Sequence, residues 1–201
     1  MAKRGKALFK SICLGKCKSL DLPAKLNLTD IAPEMNRLWD ASVRELAGGF
    51  VREHAALLVW ERESLQLTNI VEGTDEDVNP DFQLLPSQQF VGTFHTHPYA
   101  KGLQGMAFSG TDIASAITDK ENLSVVHSGS QIFCLVRTEF TPSVVDEIAI
   151  LQQERKLLRL YQDTFSVVQA LFKINLFFCE KFKLGFYTGD SSGKLELELR
   201  P

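Results

Sequence analysis

The stretch Phe94-His95-Thr96-His97-Pro98 and, beyond a glycine-containing loop, Ser109-Gly110-Thr111-Asp112 organise the rest of this chain. Side chains alternate along an extended strand, so two histidines one residue apart project to the same side. Ser109 or Thr111 suits the cap of a following helix, and Asp112 then falls in its first turn. A carboxylate arriving there completes a three-ligand set with His95 and His97. Two imidazoles and one carboxylate suit Zn2+. Three protein ligands leave the fourth tetrahedral position open, which marks a catalytic rather than a structural site.

Working outward, Gln88 to His95 reads as the strand that delivers the histidines. Before it, Phe50 to Trp60 is strand-like, Glu61 to Ser64 read as a turn, and Leu65 to Val71 as the returning strand. The intervening Glu72 to Ser87 is acidic, carries Pro80 and Pro86, and reads as an inserted loop. A helix is predicted from Thr29 or Asp30 to about Leu46. Pro33 suits its first turn, Met35, Leu38, Trp39 and Val43 recur at helical spacing, and Gly48-Gly49 stops it. Downstream, Leu123 to Val126 and Gln131 to Arg137 are β-rich runs joined by Ser128-Gly129-Ser130.

From Thr141-Pro142 the pattern turns helical, with Ile148, Leu151, Leu158 and Tyr161 or Phe165 as a stripe. The run Thr164 to Phe182 is apolar nearly all round. One helix over the whole segment would be about 60 Å long, so a break is predicted near Asp163-Thr164. Leu195 to Leu199 alternates as a half-buried strand does. The order of elements predicts an α/β protein with a mixed, mainly antiparallel sheet flanked by helices. It divides into a basic N-terminal arm (1–28), a domain carrying the histidines (29–140) and a helical extension with a terminal hairpin packed on that domain (141–201). The C-terminal helices read as core, with a homodimer contact through them as the alternative.

Composition is that of an ordinary globular protein: 201 residues, 44% hydrophobic and 23% charged. A net charge of −3 gives no global reason to expect a nucleic-acid partner. Residues 1 to 18 carry Lys3, Arg4, Lys6, Lys10, Lys16 and Lys18 with no acidic residue, and read as a solvated or loosely packed arm. Its apolar stretches, such as Ala7-Leu8-Phe9, are too short for a secretory signal. No window is long enough to span a bilayer, and a cytoplasmic protein is expected. Cys13 and Cys17 have the spacing of half a zinc site with no second pair to complete it. With Cys134 and Cys179 they read as reduced thiols.

Amide hydrolysis needs a group that takes a proton from water and hands it to the leaving amine. Glu53, one strand away from the histidines, is the candidate; Glu45 on a helix and Glu61 in a turn are placed less well. His54 points to the opposite face from Glu53 if both are extended. His127, at a strand end, reads as structural. A zinc nucleobase deaminase also uses a strand–helix metal site, but it needs His-x-Glu and Pro-Cys-x-x-Cys. Here His97 occupies the glutamate position and the chain has no Cys-x-x-Cys.

Glu53, His95-Thr96-His97-Pro98 and Ser109-Gly110-Thr111-Asp112 together resemble the signature of the JAMM (MPN-plus, JAB) metallopeptidases. That signature is a glutamate, then His-x-His, then Ser-x-x-Asp, on a mixed sheet flanked by helices of the cytidine-deaminase-like type. The resemblance covers about Pro33 to Arg137. It implies His95, His97 and Asp112 as Zn2+ ligands, Glu53 as general base and later acid, and Ser109 as a hydrogen-bond donor to the oxyanion. Residues 98–108 separate His97 from Ser109, eleven where the family usually has seven, and the extra length between Tyr99 and Ala107 bears on substrate choice.

The resemblance further implies cleavage after the C-terminal Gly-Gly of a ubiquitin-like protein, in deconjugation or precursor processing. Glu72 to Ser87 would then lie over the groove for that tail, with Asp75, Glu76, Asp77 and Asp81 facing its arginines or solvent. The chain is similar to small stand-alone bacterial members, some of which act beside ubiquitin-like conjugation enzymes or in antiviral defence. Other small relatives trim sulfur-carrier precursors or cut cell-wall peptides, and some proteins of this fold are non-catalytic scaffolds.

Overall fold

In the computed structural model, which describes residues 2–44, 51–74, 78, 80, 82–99 and 104–201 with side chains from residue 5 onward, eight strands form one sheet. They are Lys25–Asn27 (β1), His54–Glu61 (β2), Ser64–Glu72 (β3), Gln89–Thr96 (β4), Leu123–Ser128 (β5), Gln131–Arg137 (β6), Leu184–Asp190 (β7) and Lys194–Leu199 (β8). Their order across the sheet is β1-β8-β7-β6-β5-β4-β2-β3. Every neighbouring pair is antiparallel except β4 and β5. The predicted class, α/β with a mixed and mainly antiparallel sheet, is the one observed.

Among the described residues, five α-helices cover the two faces: Ala2–Cys13 (α1), Ala32–Ser42 (α2), Gly110–Thr118 (α3), Glu147–Tyr161 (α4) and Val167–Phe182 (α5). The strand period of two sorts the apolar side chains between them. On β6, Ile132, Cys134 and Val136 join Ile12, Leu22, Met35 and Leu38 in a core on the α1–α2 side. Phe133 and Leu135 of the same strand turn the other way and pack with Ile113, Ile150, Leu171, Ile174 and Phe178 from α3, α4 and α5.

The N-terminal 28 residues are not the solvated arm expected from their charge. Ile12, Cys13, Cys17, Leu22, Leu26 and Leu28 are buried in the first core, and β1 pairs with β8. The lysines mislead because they occupy the outer surface, where Lys6, Lys16 and Lys18 are exposed and Lys10 meets Glu63 at 2.6 Å. At the other end, β7 and β8 form the expected terminal hairpin, and it continues the sheet from β6. Boundaries at 28 and 140 would therefore cut through one sheet.

Two helices differ in extent from the sequence reading. α2 ends at Ser42, with the Val43 N–H still donating to Trp39 O at 3.1 Å. The predicted continuation to Leu46, the Gly48-Gly49 stop and the first strand residue Phe50 lie outside the described residues. α4 begins at Glu147, where the Asp146 carboxylate accepts the Ala149 N–H, rather than at Pro142. The break expected near Asp163-Thr164 is present, and Ser166 and Gln169 form a capping box that starts α5. Among the described residues no helix is long and apolar enough to cross a membrane.

Candidate metal centre

His95 and His97 alternate with Thr96 at the end of β4, so both imidazoles leave the sheet on the α3 side. Their Nε2 atoms lie 2.9 Å apart. Asp112 reaches them from the first turn of α3, with Oδ1 3.3 Å from His95 Nε2 and Oδ2 3.4 Å from His97 Nε2. One donor atom from each residue lies within 4.8 Å of the others, the arrangement a metal ion needs. Two bonds of about 2.05 Å at a tetrahedral angle place their donors about 3.3 Å apart. Each carboxylate oxygen stands at about that distance from one imidazole, Oδ1 from His95 and Oδ2 from His97, and the imidazoles would part by a few tenths of an ångström.

Local sequence explains why α3 starts where it does. Ser109 is its N-cap, and Ser109 and Asp112 form a capping box. This fixes the carboxylate that faces the histidines. The imidazoles are oriented as well. Nδ1 of His97 lies 3.4 Å from the Met106 carbonyl, which as its acceptor leaves Nε2 with a free lone pair. The His95 ring stands edge-on to the buried Phe108.

Burial disfavours protonation of His95, but the neighbouring Asp112 carboxylate outweighs it and holds the pKa above its ordinary value. Burial likewise opposes ionisation of Asp112, yet the two imidazoles keep its pKa well below the usual carboxylate range. The cluster therefore prefers a negative carboxylate with positive charge beside it, a demand that a bound cation satisfies without protonating a ligand.

The cluster opens into a cavity of about 500 Å3. Glu53 and Ser109 line it beside the three candidate ligands, so the structure brings all five sequence-predicted site residues to one place. Glu53 lies just before β2, where its backbone N–H donates to Thr74 O at 2.7 Å and its carbonyl accepts from Gly73 at 2.9 Å. Its side chain is 5% exposed. Val78, Pro80 and Phe82 form part of the cavity wall. That places part of the acidic insert over the cleft, while Asp75, Glu76, Asp77 and Asp81 lie outside the described residues, as does Gly102 of the loop after His97.

The less favoured candidates fall elsewhere. His54 points away from the cavity, and its Nδ1 sits 2.8 Å from Ser42 Oγ under α2. Glu61, at the far end of β2, accepts from Ser87, and Glu45 lies outside the described residues. His127 stacks on Trp39 with ring centroids 5.2 Å apart and its Nε2 meets Asn36 Oδ1 at 2.9 Å. Cys13, Cys17, Cys134 and Cys179 are all buried free thiols in the two cores. Burial pushes Cys17 up to about 11 and Cys13 up to about 12, so both are held as neutral thiols.

Three polar residues, one in the cavity wall and two bonded to the segment that leads into α3, escaped the sequence reading. Glu121 is buried at its inner wall and accepts from Thr93 N and Oγ1 at 3.2 and 2.8 Å. Burial raises its pKa to about 7, although hydrogen bonds from Thr93 and Ser124 pull the other way. Glu154 on α4 accepts the Gly110 N–H at 2.8 Å. Asn175 on α5 donates to the Phe108 carbonyl at 2.8 Å. Of these, Asn175 left a signal in the sequence, as an amide inside the apolar run from Ile174 to Phe178. No protein-family model, no curated protein and no solved structure matches this chain.

Proposed function

We propose that this chain is a zinc-dependent peptidase or isopeptidase of the JAMM type, with the cytidine-deaminase-like fold those enzymes have. Its substrate is an extended C-terminal Gly-Gly tail of a ubiquitin-like protein, in a precursor or a conjugate. The reading rests on one observation: His95, His97 and Asp112 converge in a cavity that Glu53 and Ser109 also line. His95 Nε2, His97 Nε2 and a carboxylate oxygen of Asp112 would hold the metal, leaving a position open toward the cavity. A bound zinc supplies Lewis acidity at that position.

The remaining chemistry belongs to the protein. The buried Glu53 carboxylate accepts a proton from the attacking water and returns it to the leaving nitrogen. The Ser109 hydroxyl turns its one proton from Asp112 Oδ2, which keeps the Ser109 N–H, to the oxygen that gains charge as the carbonyl becomes tetrahedral. Val78, Pro80 and Phe82 line the cleft that an extended Gly-Gly tail would enter. The ubiquitin-like protein, and conjugation enzymes acting on it, are the partners this reading implies.

The test is cleavage of a panel of ubiquitin-like proteins fused through Gly-Gly to a reporter, with wild type and Glu53→Ala compared with and without a chelator. Zinc bound at one ion per chain, with cleavage abolished by the chelator and by Glu53→Ala, supports the reading. Glu53→Ala should keep its zinc. One bound zinc per chain with no cleavage of any panel member would overturn the assignment of substrate, and a chain that takes up no zinc would overturn the metal centre itself.

A further inference from the structure

The segment Phe108-Ser109-Gly110 enters α3 between the two C-terminal helices, and each helix contributes one polar side chain to it. On one side of Ser109, the buried Asn175 of α5 donates to the Phe108 carbonyl at 2.8 Å and to its own helix at Leu171 O at 3.0 Å. On the other side, Glu154 Oε1 of α4 accepts the Gly110 N–H at 2.8 Å. Residue 110 has little space to move. A Cβ there would meet Glu154 Oε2 at 2.9 Å and the side chains of Ile150 and Leu151 at 3.2 Å. Ser109 is thus fixed through the peptide groups before and after it, and Ser109 in turn holds Asp112 Oδ2 through its N–H and Oγ at 2.7 and 2.8 Å.

We propose, resting on the metal-centre reading above, that Glu154 and Asn175 are positioning residues for the ligand Asp112. They clamp the start of α3 so that the carboxylate meets both imidazoles without rearrangement. A helix-bound ligand kept in place by groups on other helices loses less freedom when the ion binds; partners bonded directly to a ligand govern metal affinity by roughly 10- to 100-fold, and here that partner is Ser109, which the clamp holds. The clamp also gives α4 and α5 a role beyond covering the sheet, because they carry the outer support of a site whose ligands all lie before residue 113.

The experiment measures Zn2+ affinity by competition with a chromophoric chelator and the absorption spectrum of the Co2+-loaded protein. The proteins compared are wild type, Glu154→Ala, Glu154→Gln, Asn175→Ala and Leu157→Ala. Glu154→Ala and Asn175→Ala are expected to weaken Zn2+ binding about 10-fold or more and to change the Co2+ spectrum. Glu154→Gln keeps an oxygen acceptor for Gly110 and is expected to bind within about twofold of wild type. Leu157→Ala removes a buried α4 side chain that takes part in neither bond, so it should lower stability and leave metal affinity unchanged.

Glu154 lies at a partly exposed rim, so its two variants carry the test should Asn175→Ala not fold. Wild-type affinity and spectrum in Glu154→Ala, or an equal loss in Leu157→Ala, would overturn the inference while leaving the metal centre standing. A wild-type chain that takes up no Zn2+ would overturn both.

Discussion

Ser109 and Asp112 grip each other in both directions. The Ser109 N–H and Oγ donate to Asp112 Oδ2 at 2.7 and 2.8 Å, and the Asp112 N–H lies 3.2 Å from Ser109 Oγ. The cap thus occupies one carboxylate oxygen and aims the other at His95. Ser109→Ala should cost about 1 kcal/mol as a lost N-cap, which lowers Tm by about 2–4 °C in a domain of this size. It should also free the Asp112 side chain, so the deficit against wild type widens when Zn2+ is added. Calorimetry with and without the metal reads both effects, and Ser109→Thr should restore them.

Replacing His95, His97 or Asp112 should remove the metal altogether, because two donors do not hold the ion that three do. Metal analysis after dialysis is the check, and stoichiometric zinc in His97→Ala would break the ligand assignment. In the wild type, free Zn2+ at about 100 times Kd should add about 2.7 kcal/mol of stability. A chelator should return the chain to its metal-free Tm.

Gly92→Ala should destabilise severely. A Cβ at this β4 position would stand 2.0 Å from the Leu123 carbonyl oxygen, where β5 passes. That obstacle is backbone and cannot rotate aside, so the strand carrying the histidines must move. The expected loss exceeds about 3 kcal/mol, and urea titration measures it.

Leu26→Ala tests whether the N-terminal segment belongs to the cooperative core. Leu26 is 2% exposed between β8 and the α1–α2 layer, so truncation should cost about 2–5 kcal/mol. A solvated arm would lose less than about 0.5 kcal/mol at the same substitution. Midpoints of denaturant unfolding separate the two outcomes.

His127 gives a pH dependence of known sign. Burial lowers its pKa to about 4, although Asp40 pulls the other way. Above the unfolded value of about 6.5 neither state carries the proton. As pH falls from there toward 4, the unfolded chain takes a proton that the folded one refuses. Stability should therefore drop, by up to roughly 3 kcal/mol at the acid end. Glu121, held near 7 in the fold, works in the opposite sense and loses its stabilising effect as pH rises from its unfolded value. Comparing wild type with His127→Gln at pH 7 and pH 5 isolates the histidine. An identical pH slope in the two proteins would disprove the assignment.

The site was largely legible because its information is local. Alternation over Phe94 to His97 and the offset from Ser109 to Asp112 each lie within a few residues, and backbone periodicity converts both directly into direction. The outer support was not legible, because Glu154 and Asn175 reach Gly110 and Phe108 across 44 and 67 positions. The same limit hid the sheet edges. β1 is three residues long, with Leu26 flanked by polar residues, and only its pairing with Lys194 to Glu196 makes it a strand. The basic charge of the N-terminal segment reflected the exposed Lys6, Lys16 and Lys18 and concealed Ile12, Cys13 and Cys17 beneath them.

Thr96 sits between the two histidines and is fully buried on the opposite side of β4. Its Oγ1 lies 2.7 Å from Ser42 Oγ and accepts the His54 N–H at 2.9 Å. A slip of this strand by a single residue would exchange its faces. It would drive both imidazoles to the α2 side of the sheet, where Ser42 and His54 sit, and turn Thr96 toward the cavity. The donor set is therefore a matter of register, with two values and nothing between them. Zinc content per chain should accordingly count molecules that are correctly threaded, rising in proportion to their fraction while the affinity of each stays the same.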